Sequence, residues 1–450
     1  MAPLISFYFQ VHQPYRLRDL RVTDIGKGHL DYFDSEKNRA VFRKVAEKCY
    51  LPANRLLLEL LGRHQNFCAA FSLSGVFLDQ CEEYGQDVLD SFRALAETGK
   101  VEFLAETYYH SLSYLWSLGE FCEQVQKHAE KIEALFGMRP TVFRNTELVY
   151  SNELAEVAEL LGFRGILAEG ADHILQGRSP NYPYMPPTFA LPLEQQKIIE
   201  KYKLGIRNCR RSLWEELGIG KRTKHKAKKM NQRINVLLKN YRLADDVAFR
   251  FSDKSWVGFP LNAETFTTWA LSSGGHCVNL YMDYETFGEH QWADTGIFEF
   301  LRTLPRLWQE QGIRCATPSR VIEEWEAKSQ MPKAKCQIFD AHSFVSWADI
   351  ERDLSAWRGN RIQEAAFAGI YSLEEPVKAS GDPHLLETWR RLQTSDHFYY
   401  MCTKYWNDGD VHKYFSPYES PYEAYRRYSH ALCDLRQRLE RYQVPIAKVP

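Results

Sequence analysis

The chain has 450 residues, more than one compact core ordinarily holds, so one barrel-sized domain with a smaller companion is expected. Apolar residues make up 44% and charged residues 26%, the balance of a globular protein and not of a disordered one. A net charge of −1 removes any electrostatic ground for a nucleic-acid or anionic-membrane partner.

Leu4 to Val11 alternates and is rich in β-formers, which predicts a first strand and not a signal peptide. His12-Gln13-Pro14 ends it, because proline cannot donate to the ladder. A helix is expected over 38–62, a strand over 66–73, a helix over 88–97 and a strand over 101–104. A helix over 121–136 then meets Gly137, and a short strand at 141–143 opens on Arg144-Asn145-Thr146-Glu147. A helix over 152–161 and a strand over 165–169 follow. The alternation then breaks, and an insertion is expected over about 170–260. It holds the basic run 221–229, whose residue types suit a solvated helical face better than a polyanion site. Val278 to Met282 is a strand that delivers Asp283, and a helix over 297–308 closes the series.

Strand-then-helix alternation predicts an α/β barrel or sheet, with its site at the C-terminal strand ends. The polar turn near 329–335 marks the expected boundary between a catalytic domain, 1–330, and a helical domain, 331–450. The ten cysteines form no CxxC pair, and no apolar stretch approaches a membrane span. A cytoplasmic chain with reduced thiols is therefore expected.

Two carboxylates stand out by position. Glu147 and Asp283 each follow a strand and have aromatic and amide neighbours, an unusual setting for a solvated charge. Glycosidic cleavage needs two carboxyl groups flanking one bond, and in the retaining form they lie about 5–5.5 Å apart.

The flanking words resemble glycoside hydrolase family 57, in its α-amylase-like branch. His12-Gln13-Pro14, Gly99-Lys100-Val101-Glu102, the stretch ending in Glu147, Asp283-Tyr284-Glu285-Thr286-Phe287-Gly288 and Thr394-Ser395-Asp396-His397 match its five regions in order. Asn240 to Asp246 also reads like that branch. The resemblance implies an incomplete (β/α)7 barrel followed by a C-terminal α-helical domain, retention of configuration, and no metal or organic cofactor. It implies Glu147 as nucleophile and Asp283 as acid/base, acting on α-1,4 bonds of starch-type glucans or maltooligosaccharides. His12, Gln13, Glu102, Arg144, Arg242, His290, Asp396 and His397 are the expected substrate contacts. Glu106 and His110 are further polar candidates, and Tyr108, Trp116 and Trp292 candidate stacking rings. The sequence departs from the family pattern at Arg144 and His397, where many members carry Trp. Three other readings stand beside this one: a 4-α-glucanotransferase or branching enzyme on the same scaffold, a metal-dependent α-mannosidase or deacetylase, and a non-catalytic glucan binder.

Overall fold

The computed structural model describes residues 2–27, 31–204, 233–328, 337–407 and 410–441. Seven strands occupy the centre: β1 Leu4–Val11, β2 Ala69–Leu73, β3 Val101–Phe103, β4 Val142–Arg144, β5 Gly165–Glu169, β6 Asn235–Lys239 and β7 Cys277–Asp283. Their ladders are parallel, in the orders β3-β2-β1-β7 and β4-β5-β6. Two seams join these sheets. A parallel bridge from Ala105 to Phe143 ties the end of β3 to β4. At the other seam the Asn240 N–H donates to the Asn279 carbonyl, and the Asn279 amide donates to the Leu238 carbonyl. The result is the expected incomplete (β/α)7 barrel.

Side-chain alternation gives the barrel two faces. Phe7, Phe9, Phe71 and Met282 point outward into a core shared with the surrounding helices. Tyr8, Ala70, Leu104, Val142, Leu167, Leu237 and Tyr281 point inward and fill the barrel. Two residues further along each strand direction come Gln10, Ser72, Glu106, Arg144, Glu169, Lys239 and Asp283. Gln10 lies in register with both Ser72 and Asp283, and Glu169 with Lys239. An apolar layer is thus roofed by a polar one, at the C-terminal ends of the strands.

Local signals set the helix ends. In the helix Leu118–Phe136, Ser117 accepts from the Glu120 N–H, and Gly137 leaves at φ 68°. Such a cap contributes about 1 kcal/mol, and the left-handed exit favours glycine. The helix Pro318–Lys328 closes the opposite end of the barrel, where Val321 and Ile322 join the interior cluster.

The expected insertion is shorter than 170–260, because β6 and the helix Tyr241–Ala248 are barrel elements inside that span. The basic run 221–229 lies outside the described residues. The division at 330 is also not a division of cores. Residues after it return to the barrel: the Phe339 N–H donates to the Met185 carbonyl, and Tyr150 and Val345 exchange backbone bonds. The C-terminal helices, among them Arg361–Tyr371, Pro383–Arg391 and Pro421–Glu440, build a core that takes in Tyr15, Leu17, Tyr108 and Tyr109 from loops beyond β1 and β3. This helical layer therefore covers the C-terminal mouth of the barrel.

Candidate active site

A cavity of ≈ 600 Å³ opens between the barrel mouth and the helical layer, and both Glu147 and Asp283 line it. Glu147 follows β4 on a strained turn, with φ 57° at Glu147 and φ 51° at Leu148. A non-glycine residue in that region costs on the order of 1–3 kcal/mol and persists only where its surroundings hold it. Three donors hold this carboxylate. Trp347 Nε1 donates to Oε2 at 2.8 Å, Ser395 Oγ donates to Oε1 at 3.2 Å, and His110 Nε2 faces Oε1 at 3.3 Å.

His110 is the hub of the charge arrangement. Its other ring nitrogen faces Glu106 at 2.8 Å, so both nitrogens look onto carboxylates. Burial alone would push its pKa down, but bonds to Glu106 and Glu147 raise it to about 9. Glu106, also fed by Ser72 and Gln10, is driven the other way. Burial raises it, yet the His110 bond and charge outweigh that and bring it to about 2. For Glu147, burial is likewise overcome by His110 and then Arg144, and the carboxylate ends below its usual range.

Asp283 goes in the opposite direction. Burial first, and then the negative charge of Glu147, raise it to about 6. The two acids of one cavity are thus separated in proton affinity. Glu285, on the same loop, is raised to about 8 by burial and by Asp283, and its carboxyl bonds the Tyr50 hydroxyl.

Of the expected substrate contacts, His12, Gln13, His290 and Asp396 line the cavity. His12 has no ring nitrogen to spare. Nδ1 meets Ser74 Oγ at 2.7 Å, Nε2 meets Asp396 at 3.0 Å, and its face stacks on His110 at 4.0 Å. Burial and the His110 charge lower its pKa, so it is neutral, donating to Asp396 and accepting from Ser74. Gln13 Nε2 donates to the Tyr50 hydroxyl. His290 is pushed down to about 4 by burial.

The remaining four stand elsewhere. Glu102 lines a separate cavity where the strands begin, and its carboxylate accepts the Ser319 N–H of the closing helix at 3.0 Å. Arg242 is exposed and pairs with Asp172 at 3.1 Å. His397 is buried against Tyr428, with ring centroids 5.6 Å apart, and offers no face to the cavity. Arg144 is wholly buried beneath the site. Its guanidinium lies 4.9 Å from the Trp347 ring centre and 3.8 Å from Glu106, with no protein hydrogen-bond acceptor for its three nitrogens. Tyr108 is buried with its hydroxyl on Asp79, Trp116 stacks on Tyr371, and Trp292 stands beside Lys48.

Residues that sequence reasoning missed complete the walls. Trp347 and Arg352 come from an irregular stretch after the barrel, and Lys239 from β6. Lys239 pairs with Asp245 at 2.9 Å, and Arg352 reaches Glu169 at 3.1 Å and Asp245 at 3.4 Å. For Lys239 the +2 spacing after inward Leu237 was a usable signal. For Trp347 and Arg352 there was none.

His12, His110 and Asp396 are close enough to hold a cation. Both His110 ring nitrogens face carboxylates, so a metal bound there would have to displace a His110 proton.

Residues 6–200 and 215–334 match the sequence model of glycosyl hydrolase family 57. A protein of Methanocaldococcus jannaschii, named as a candidate alpha-amylase, is 37% identical over 444 residues, covering 96% of this chain and 84% of its own. Among solved structures, a family 57 branching enzyme of Thermococcus kodakaraensis superposes with a TM-score of 0.61 at 15% identity, covering 96% of this chain and 89% of its own. A 4-alpha-glucanotransferase of Thermococcus litoralis gives 0.57 at 14% identity over 88% of this chain. This chain spans only 56% of that larger protein. Among the described residues, no helix is long and apolar enough to cross a membrane.

Proposed function

The chain belongs to glycosyl hydrolase family 57, and from that premise we propose that it cleaves α-1,4-glucosidic bonds of starch-type glucans or maltooligosaccharides by double displacement. Glu147 attacks the anomeric carbon while Asp283 gives its proton to the departing glycosidic oxygen. The C–O bond breaks, and a glycosyl ester forms on Glu147. Asp283, now a carboxylate, takes a proton from water, whose oxygen attacks the same carbon and releases Glu147. The single observation that carries this reading is that Glu147 and Asp283 line one cavity at the C-terminal strand ends, where His110 favours the charged form of Glu147 and burial favours the protonated form of Asp283.

Charge is conserved through the first step. Negative charge leaves Glu147 as it appears on Asp283, and the fixed cations His110 and Arg144 act on both. The site need not reorganise when the charge moves, which is what electrostatic preorganisation requires.

A second glucan hydroxyl can replace water in the second step, giving transfer by the same intermediate. The names of the two structural relatives favour keeping that outcome open. The test is a product profile on maltotriose and starch with the wild type, Glu147→Gln and Asp283→Asn. Glucose and maltose alone mean hydrolysis, and longer oligosaccharides mean transfer. Turnover that survives in Glu147→Gln ends the proposal.

A further inference from the structure

One wall of the cavity differs from the rest. Of the large apolar side chains that stand exposed among the described residues, Phe249 (58%), Tyr414 (60%) and Val411 (37%) line this cavity. They come from distant parts of the chain. Phe249 follows the helix Tyr241–Ala248, and Tyr414 and Val411 lie on the helix Val411–Phe415 of the C-terminal layer. Exposed aromatic rings cost free energy in water unless something covers them.

Their place in the cavity says which half they serve. Tyr414 and the residue before Phe249 both contact the loop that follows Asp283. Gln291 of that loop donates through Nε2 to the Ala248 carbonyl at 2.9 Å, directly before Phe249. His290 packs edge-on against Phe415 at 5.4 Å and Tyr414 at 6.3 Å. The loop is itself fixed, since the His290 N–H donates to the Glu285 carbonyl and the Gly288 N–H to that of Gln291. The Glu147 side is built differently, from Trp347, Ser395 and the buried charges. A general acid stands beside the leaving oxygen, so what neighbours its loop meets the leaving or accepting sugar.

We propose that Phe249 and Tyr414 form an acceptor subsite, binding the apolar C–H face of a glucosyl unit on the leaving-group side of Asp283. This rests on the assignment of Glu147 and Asp283 above. The occupant is an α-glucan and not a protein, because the rings are continuous with the cavity that Glu147 and Asp283 line. By the same placement the two rings set the balance between water and glucan as the second-step nucleophile.

The test compares two donors on the wild type, Phe249→Ala, Tyr414→Ala, Phe249→Tyr and Tyr414→Phe. Maltotetraose has a sugar leaving group that needs the subsite. Maltotriosyl α-fluoride loses fluoride, which does not. Each alanine variant should lose about tenfold more kcat/KM on maltotetraose than on the fluoride, roughly the cost of one uncovered ring. The fraction of products longer than the donor should fall with it, while the aromatic replacements stay within about twofold of wild type. Equal losses on the two donors, or none, overturn the subsite. So does loss of self-association in sedimentation with unchanged kinetics, which would make the rings a protein contact. If the wild type turns over the fluoride and loses that turnover in Glu147→Gln, the function stands whatever the alanine variants show. If the wild type turns over neither donor, the catalytic assignment itself fails and the subsite with it.

Discussion

The Trp347 indole N–H donates to Glu147 Oε2 at 2.8 Å, and the face of the same ring lies 4.9 Å from the Arg144 guanidinium. One aromatic side chain therefore orients the Glu147 carboxylate with its edge and covers a buried cation with its face. The Trp347 backbone N–H also donates to the Glu147 carbonyl at 3.2 Å, which helps hold the left-handed turn at Glu147 and Leu148.

Trp347→Phe keeps the face and removes the indole donor. A hydrogen bond to a charged group contributes about 1.5–3 kcal/mol, so kcat on maltooligosaccharides should fall roughly ten- to a hundredfold. The far-ultraviolet spectrum and melting temperature should stay near wild type. An unchanged kcat would mean that the indole bond does not orient the nucleophile.

Arg144 is a cation whose stabilising partners are few: the Trp347 face, and Glu106 at 3.8 Å. Removing one member of a buried group of charges leaves its carboxylate partners less compensated. Arg144→Met should therefore melt below wild type, because Glu106 and Glu147 lose a neighbouring cation. Arg144 lowers the proton affinity of both Glu147 and Asp283, so both limbs of the pH–kcat/KM profile should move to higher pH. A profile that keeps both limbs in place would show that the guanidinium does not act on the pair.

The wild-type profile should be bell-shaped. Its alkaline limb should lie near pH 6, where Asp283 loses the proton that the proposed mechanism has it donate, and its acid limb below 4.5, where Glu147 becomes protonated. His110→Gln removes the positive charge in contact with Glu147 and should raise the acid limb most. The same histidine links stability to pH. Its pKa in the folded protein, about 9, lies above the ordinary histidine value of 6.5. The stabilisation it gives is present in full below 6.5 and is lost as pH rises through about 9. The stability difference between wild type and His110→Gln, read by denaturant unfolding, should shrink across that window. A difference that is flat from pH 6.5 to 9 would mean that His110 is neutral in the folded protein.

How much of this was legible depends on what each residue had to signal. The strands and the placing of Glu147 and Asp283 at strand ends were readable, because an alternating or apolar run that ends in an acid carries its own punctuation. The choice of Glu102 over Glu106 shows where such reading fails. Glu102, Leu104 and Glu106 share the inner face of one strand direction, but Glu102 stands at its beginning, opposite Ala70, and Glu106 at its finish. A motif spacing records the face and not the height in the barrel. Arg144 was expected to touch substrate and instead lies beneath the cavity, since sequence cannot tell a side chain that lines a cavity from one roofed by Trp347. Trp347 and Arg352 were out of reach: they sit in an irregular stretch with no period, and tertiary packing alone brings them to the cavity of Glu147.

That packing is held at one place by a buried acid, which makes its contribution measurable. Glu120, wholly buried on the helix Leu118–Phe136, accepts from Arg390 at 2.8 and 3.1 Å, from Lys378 at 3.0 Å and from Gln124 at 3.0 Å. It ties the barrel wall to the helical layer. Arg390 lies on the helix Pro383–Arg391, directly before the Thr394-Ser395-Asp396 segment that supplies bonds to Glu147 and His12. Glu120→Gln keeps the shape and leaves two cations short of charge. Breaking a buried pair this way costs about 3–5 kcal/mol, and the remaining Arg390–Glu123 contact should hold the loss to the lower end. Denaturant unfolding should show that loss. Activity should decline at lower denaturant than the global transition, because the Ser395 and Asp396 segment loosens first. Coincident loss of activity and fold would mean that the helical layer is no less stable than the barrel it covers.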